Sequence, residues 1–365
     1  MLFMLLDHVR ETFYLHLQVP DPMVVADTPL GLFFPRMLAH LCAPVFVFLT
    51  GLGAYLYASR HAEAGQARAA SGFLWRRGLF LVLLEVTVVN FAWTFQFPPA
   101  KVFLQVIWAI GLSMLALSVL VWLPRKALLL LGLVLVAGHN LFDSLHFPPD
   151  HMMHIPWAIL HDRGWLELAS VQLRTSYPLL PWIGVIALGY GVGPWFSTAC
   201  DAKQRKQYLL VAGVSCLLGF ALLRTLNLYG DAPWVTGADA LQTVMSWFNV
   251  TKYPPSLLFL LLTLGFGLLL LGALENATGR SWLQLLATLG AAPMFFYVLH
   301  LYVLKFMYLA AVAVWGANQG QLFGLSSLLW LWVISALLVV ALYPLVRWFA
   351  GLKQRRRDIT WLKYL

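Results

Sequence analysis

Long apolar runs separated by short polar stretches recur down the whole chain, and their lengths set the reading. About 20 apolar residues cross the hydrocarbon core of a bilayer as one helix. Ten such runs are read, at 1–16, 41–58, 73–95, 102–122, 127–142, 179–196, 208–226, 256–273, 287–314 and 325–349. The expected fold is all-α, a polytopic transmembrane helical bundle of about ten spans. Only six residues precede Asp7 in the first run, so either helix 1 is a partial span or Met1 lies inside the true first helix, and the second is the favoured expectation. Residues 1–352 are read as a single transmembrane domain and 353–365 as a basic cytoplasmic tail.

Composition agrees with the pattern. The chain is 61% hydrophobic and 11% charged, where a soluble domain is about half apolar and a quarter charged. The net charge of +9 is explained first by topology, because short cytoplasmic loops collect Lys and Arg. With alternating spans and both termini cytoplasmic, 16 of the 24 basic residues fall inside, Arg357 and Lys363 among them. Outside are Arg10, Arg36, Lys101, Arg163, Arg174, Arg224, Lys252 and Lys305. The partner this charge implies is the lipid bilayer and not nucleic acid. The cysteines Cys42, Cys200 and Cys216 have no metal-site spacing.

Polar groups within or beside spans are costly, and so point to function. In LDHVRE, Asp7, Arg10 and Glu11 share one helix face at i, i+3 and i+4, with His8 turned toward a neighbouring helix. Arg36 and His40 are one turn apart and face the same way, with Asp7 or Glu11 as the expected partner of His40. Pro44, inside the next run, is expected to free a backbone carbonyl. Arg224, Asn227, Tyr229 and Asp231 crowd one helix end, and Lys252 and Tyr253 precede Pro254-Pro255. His300 lies inside a span with Tyr297 three residues before it. All histidines except His61 fall on the outer side, where proton transfer or metal binding would use them. In HFPPDHMMH, His146, Asp150, His151 and His154 form a weaker ligand-like cluster, and no metal is expected.

LDHVRE, AHLCAPVFVFLTG (39–51), YPLLPWIGVIALGYGVG (177–193), LLRTLNLYGDAPW, NVTKYPPSLLFLLLTLG and APMFFYVLH (292–300), in this order, resemble the catalytic-domain family of heparan-α-glucosaminide N-acetyltransferase. Its bacterial membrane relatives, of unassigned substrate, are the more similar branch. The lysosomal enzyme has an Asn near the end of its first helix, where this chain has Asp7-His8. The catalytic histidine stays open among His8, His16 and His40.

The resemblance implies a membrane acyltransferase of the bacterial inner membrane. It would take acetyl or another acyl group from cytoplasmic acetyl-CoA or acyl-CoA and pass it to an amine or hydroxyl of a glycan or amino-sugar acceptor outside. His40 or His8 is then the base and Asp7 the group that orients it. Arg10, Arg36, Arg224, Asn227, Asp231, Lys252, Tyr253 and His300 are the candidate substrate contacts. Arg76, Arg77, Arg125 and Lys126 are the candidate CoA contacts, and a homodimer is compatible with the family. The alternative is a proton-coupled transporter or flippase of an anionic sugar or lipid-linked intermediate, working through His300 and Asp7. Glu85, alone in its span, is the feature that favours it.

Overall fold

The computed structural model describes residues 1–61, 65–168, 170–277, 279–356, 358, 359, 362 and 364. Arg357 and Lys363 of the expected basic tail lie outside the described residues. The helices, in chain order, begin with α1 (Leu2–Phe13), α2 (Leu30–His40), α3 (Cys42–Arg60), α4 (Gln66–Leu84) and α5 (Asn90–Thr94). Strand β1 (Lys101–Leu104) precedes α6 (Val106–Leu120), α7 (Arg125–Gly138) and α8 (His154–Leu160). Strands β2 (Gly164–Leu168) and β3 (Val171–Thr175) lead to α9 (Leu180–Gly191), α10 (Ala202–Leu226), α11 (Ala240–Phe248) and α12 (Leu257–Leu274). The chain ends in α13 (Ser281–Ala291), α14 (Pro293–Trp315) and α15 (Leu329–Arg355).

The protein is mostly helical, and among the described residues six helical stretches are long and apolar enough to cross a membrane. These are Leu30–Arg60, Arg125–Phe142, Ala202–Leu226, Leu257–Ala277, Pro293–Trp315 and Leu329–Arg355, with Val106–Leu120 and Leu180–Gly191 as shorter apolar helices. Each of the ten expected runs contains a helix, but two local readings change. Residues 102–104 are not helical: Lys101–Leu104 alternates exposed and buried side chains, the period of a strand. It pairs in parallel with β3, which pairs antiparallel with β2. The run 287–314 is broken at Ala292, because the residue before Pro293 is pushed out of the α region (φ −133°, ψ 59°). Pro44 lies three residues after the break at Leu41 that separates α2 from α3 within the stretch Leu30–Arg60.

The chain separates into two compact units, one of Met1–Cys42 with Ala277–Leu365 and one of Ala43–Asn276. In the first, α1 packs on α2, α14 and α15, and α13 packs on α15. Leu325 N–H donates to the Phe13 carbonyl (3.1 Å) and the Tyr14 hydroxyl to that of Ser327 (2.7 Å), which fixes the end of α1.

In the second unit, helices pair through glycine. A Cβ on Gly51 would lie 2.1 Å from the Ile186 carbonyl oxygen, and one on Gly189 2.0 Å from that of Phe48. Gly78 and Gly111 meet in the same way between α4 and α6, as do Gly132 and Gly184 between α7 and α9. Backbone contact of this kind lets apolar helices associate where lipid gives no hydrophobic drive.

Candidate functional site

The first unit holds a buried polar cluster built on α1. The i, i+3 spacing of Asp7 and Arg10 becomes a bond from Arg10 Nε to Asp7 Oδ1 (3.0 Å), and Arg10 Nη2 reaches Glu11 Oε1 (3.2 Å). Arg36 of α2 donates from Nη1 to Asp7 Oδ2 (2.9 Å) and from Nη2 to Asp21 Oδ2 (3.3 Å). His40, one turn after Arg36, has its Nε2 4.0 Å from the same Asp21 oxygen. Arg10, Arg36 and His40 are 2–3% exposed, so these charges are held by one another and not by water.

Asp7 therefore anchors two guanidinium groups, and Asp21 supplies a carboxylate beside His40. Asp21 was not singled out in the sequence. It sits between Pro20 and Pro22 in a loop without periodicity, which is its only local signal.

His8 projects from the next position of α1 and meets His300 of α14, with His8 Nδ1 and His300 Nε2 2.6 Å apart. His300 Nδ1 is 2.6 Å from the Phe296 carbonyl oxygen, which can only accept. Its proton is therefore on Nδ1 in the neutral ring, Nε2 is the acceptor, and His8 donates from its own Nδ1. By this assignment the basic nitrogen of His8 is Nε2. The rings stack at 4.9 Å, and Tyr297 stands edge-on to both at 5.8 and 5.7 Å. His16 lies beside the Tyr14 ring (6.2 Å) and against Gly324.

The expected residues of the second unit fall into two groups. Arg224, 2% exposed, gives its N–H groups to the main-chain carbonyls of Ala232, Ser246, Trp247 and Asn249 (2.6–2.9 Å). Asn227 ends α10 in the left-handed region (φ 57°) and exchanges two 3.0 Å bonds with the backbone of Trp234. Asp231 accepts from Ala232 N–H (2.7 Å), Thr251 N–H (2.9 Å), Thr251 Oγ1 (2.6 Å) and Ser256 Oγ (2.5 Å). These three residues fold the segment between α10 and α12. Their hydrogen bonds run to the protein's own backbone and to Thr251 and Ser256, and Asp231 also lines a cavity.

Lys252 and Tyr253 are different. The Lys252 ammonium lies over the rings of Tyr253 (5.0 Å) and Tyr177 (6.0 Å), and Arg163 stacks on Tyr253 (4.7 Å). Lys101 and Arg174 flank the Trp165 ring (5.6 and 5.2 Å). Burial lowers Arg174 from the ordinary guanidinium range, and the like charge of Arg163 lowers it further. Four of the eight basic residues read as outward are thus gathered around aromatic rings. Beside them lies a cavity of about 720 Å³ whose lining includes Asp143, His161, Asp162, Arg163, Asp231 and Tyr253.

The ligand-like run 146–154 is not assembled. His146 pairs with Asp162 (3.2 Å), His151 accepts from Met153 N–H (3.1 Å), and His154 bonds the Phe147 carbonyl (2.8 Å). Asp150 is exposed. Among the described residues, the group that could hold a metal ion is His139, Asp143 and His161, whose ligand atoms lie within 4.8 Å of one another.

Arg76 and Arg77 stand midway along α4, not in a loop, because the helix begins at Gln66, before the apolar run that contains them. Arg125 opens α7 beside Lys126 and donates from Nε to the Gly191 carbonyl (2.7 Å). Glu85, in a π-helical segment (Glu85–Val89), accepts from Trp108 N–H in the first turn of α6 (3.2 Å), which gives this buried acid a structural role.

The catalytic domain of heparan-alpha-glucosaminide N-acetyltransferase matches residues 20–229, more than half of the 365. The chain belongs to this family. Membership in this acetyltransferase family makes it a membrane acyltransferase by descent, and the family uses acetyl-CoA as donor. The matched stretch contains Asp21, Arg36, His40 and the cavity residues up to 229. His8 and His300 lie outside it, so their pairing is evidence of geometry independent of the family match. No curated protein and no solved structure matches the chain.

Proposed function

We propose that this chain passes acetyl, or another acyl group, from cytoplasmic acyl-CoA to an amine or hydroxyl of a sugar-like acceptor on the opposite face of a bacterial inner membrane. Ten spans with both termini cytoplasmic are the topology this requires, and the inward bias of Lys and Arg supports it. The observation that carries the reading is the buried His8–His300 contact of 2.6 Å.

An amine or hydroxyl that attacks a thioester must lose a proton, and a neutral imidazole is a suitable acceptor for it. His8 takes that proton on Nε2 as the acceptor bonds to the acyl carbon, and gives it to the CoA sulfur as the C–S bond breaks and CoA leaves as the thiol. The imidazolium formed between these steps keeps its Nδ1–H on the lone pair of His300, whose own Nδ1–H stays on the Phe296 carbonyl. His300 is a positioning residue: it sets the His8 tautomer and stabilises the charged form. Asp7, Arg10, Arg36, Asp21 and His40 fix α1 and α2, and their guanidinium groups stabilise negative charge that develops on the thioester oxygen.

On the acceptor side, Lys252, Tyr253, Arg163 and Arg174 offer cations and aromatic faces, which suit a sugar ring bearing anionic groups. On the donor side, Arg76, Arg77, Arg125 and Lys126 supply charge for the CoA phosphates.

The test uses the purified full chain with labelled acetyl-CoA and a panel of amino sugars and polyols. Acceptor-dependent CoA release, accompanied by label in the acceptor, is expected. Uptake of an anionic sugar into proteoliposomes driven by a pH gradient, with no CoA release, would contradict it.

A further inference from the structure

His139 directly follows α7, in the short 3-10 turn His139–Phe142, and His161 follows α8, 22 residues later. Both rings are almost fully buried, at 1% exposure. Neither ring nitrogen of His139 has a hydrogen-bond partner among the described residues, and His161 Nδ1 has none either. A buried imidazole with both nitrogens unsatisfied is costly, because the desolvation of its polar atoms is not offset.

Carboxylates surround His161. Its Nε2 is 3.5 Å from Asp143 Oδ1, and its Nδ1 is 3.9 Å from Asp162 Oδ1. Asp143 and His161 both line the 720 Å³ cavity. We propose that His139, Asp143 and His161 form a binding site for a divalent transition metal of the zinc class in the wall of this cavity.

The donor chemistry fits the metal. Two imidazoles and a carboxylate are a borderline-soft set suited to zinc, with further positions left for water or a ligand oxygen. Ligands about 2.0–2.1 Å from a tetrahedral zinc are about 3.3–3.4 Å apart, and the His161–Asp143 separation of 3.5 Å is close to that.

The outer shell is in place as well. Asn140 Nδ2 donates to Asp143 Oδ2 (2.9 Å), which leaves Oδ1 turned to His161, and Asn140 is itself fixed by Leu257 N–H (2.9 Å). Trp157 stacks on the His161 ring at 5.1 Å and holds its plane. Without metal, His161 Nε2 bonds the His139 carbonyl (2.9 Å). When the metal takes Nε2, the neutral ring carries its proton on Nδ1, facing Asp162. That produces the carboxylate–histidine–metal order in which the carboxylate orients the ligand. The alternative occupant is a proton: an imidazolium at His161 would satisfy both carboxylates, but it leaves His139 with nothing.

The experiment is metal binding to the full chain in detergent, stripped with chelator and titrated with Zn²⁺, and in parallel with Co²⁺ to read its visible absorption. One equivalent bound per chain is expected, with a Co²⁺ spectrum of four- or five-coordinate type. His139→Ala and His161→Ala should lose more affinity than the roughly 10–100-fold that an outer-shell partner carries. Asp143 is largely exposed, so Asp143→Ala tests the site without disturbing the fold, and it should weaken binding at least about tenfold. His151→Ala, in the loop whose histidines bond elsewhere, should bind as the wild type does. No stoichiometric metal in the stripped and refilled chain, or unchanged affinity in Asp143→Ala, would overturn the proposal.

Discussion

Arg36 and Arg224 are both buried, at 3% and 2% exposure, and each lies near the end of its helix. Arg36 gives its N–H groups to the carboxylates of Asp7 and Asp21, whereas Arg224 gives its own to four main-chain carbonyls. Arg224 completes a fold: one planar fork binds four main-chain carbonyls of the segment after α10, of which Ser246 also accepts from Asn249 N–H. Arg36 belongs to a set of ionised side chains beside two histidines, where charge can respond to chemistry. A buried arginine is therefore informative about function only once its acceptors are known.

The comparison can be broken most strongly at Arg224. Arg224→Ala removes four hydrogen bonds to main-chain carbonyls at once and is expected to cost about 2–5 kcal/mol, at roughly 1 kcal/mol for each. Loss of the folded monodisperse peak in detergent chromatography reads this out. Arg224→Lys should fail similarly, since an ammonium cannot span the fork geometry. A folded Arg224→Ala chain that loses only acceptor affinity would return the residue to the binding site.

A smaller effect is expected at Asp21. Asp21→Asn keeps Arg36 bound to Asp7, so unfolding should lose about 1–3 kcal/mol. Acyl transfer should fall by more than that stability loss explains, about tenfold or greater, as measured by CoA release at a temperature where the variant remains folded. Equal loss of both would make the α1–α2 cluster as structural as the Arg224 block.

Asn227 should give the smallest change. Asn227→Gly removes two backbone bonds but suits the left-handed backbone at φ 57°, so about 1 kcal/mol is expected. Asn227→Ala adds the strain of that conformation and should be worse. Melting temperatures of the two variants, compared side by side, check the order.

Much of this was legible in the residues, for identifiable reasons. Apolar run length placed a helix in each expected span, and helical spacing put Asp7, Arg10 and Glu11 together and turned His8 toward another helix. The intramembrane position of His300 and its Tyr297 neighbour marked the residue that His8 meets.

What spacing could not carry was non-local. Asp21 approaches Arg36 from an aperiodic loop, and His139 approaches His161 across 22 residues of turn, short helix and loop. The i, i+3 pair His151 and His154 suggested a ligand set, but the two rings bond to different main-chain groups. Arg224 and Asp231 also bond the backbone of the segment between α10 and α12, a demand that is not written in its composition. The short strand Lys101–Leu104 was hidden because it runs directly into an apolar helix.

The central claim is that chemistry resides in the His8 cluster, and the rate of acceptor-dependent CoA release by His8→Ala tests it most directly. General-base catalysis contributes about 10²–10⁴-fold. The variant should lose that much in kcat, with wild-type melting and with acetyl-CoA binding retained. A His8→Ala chain that releases CoA at the wild-type rate would contradict the account.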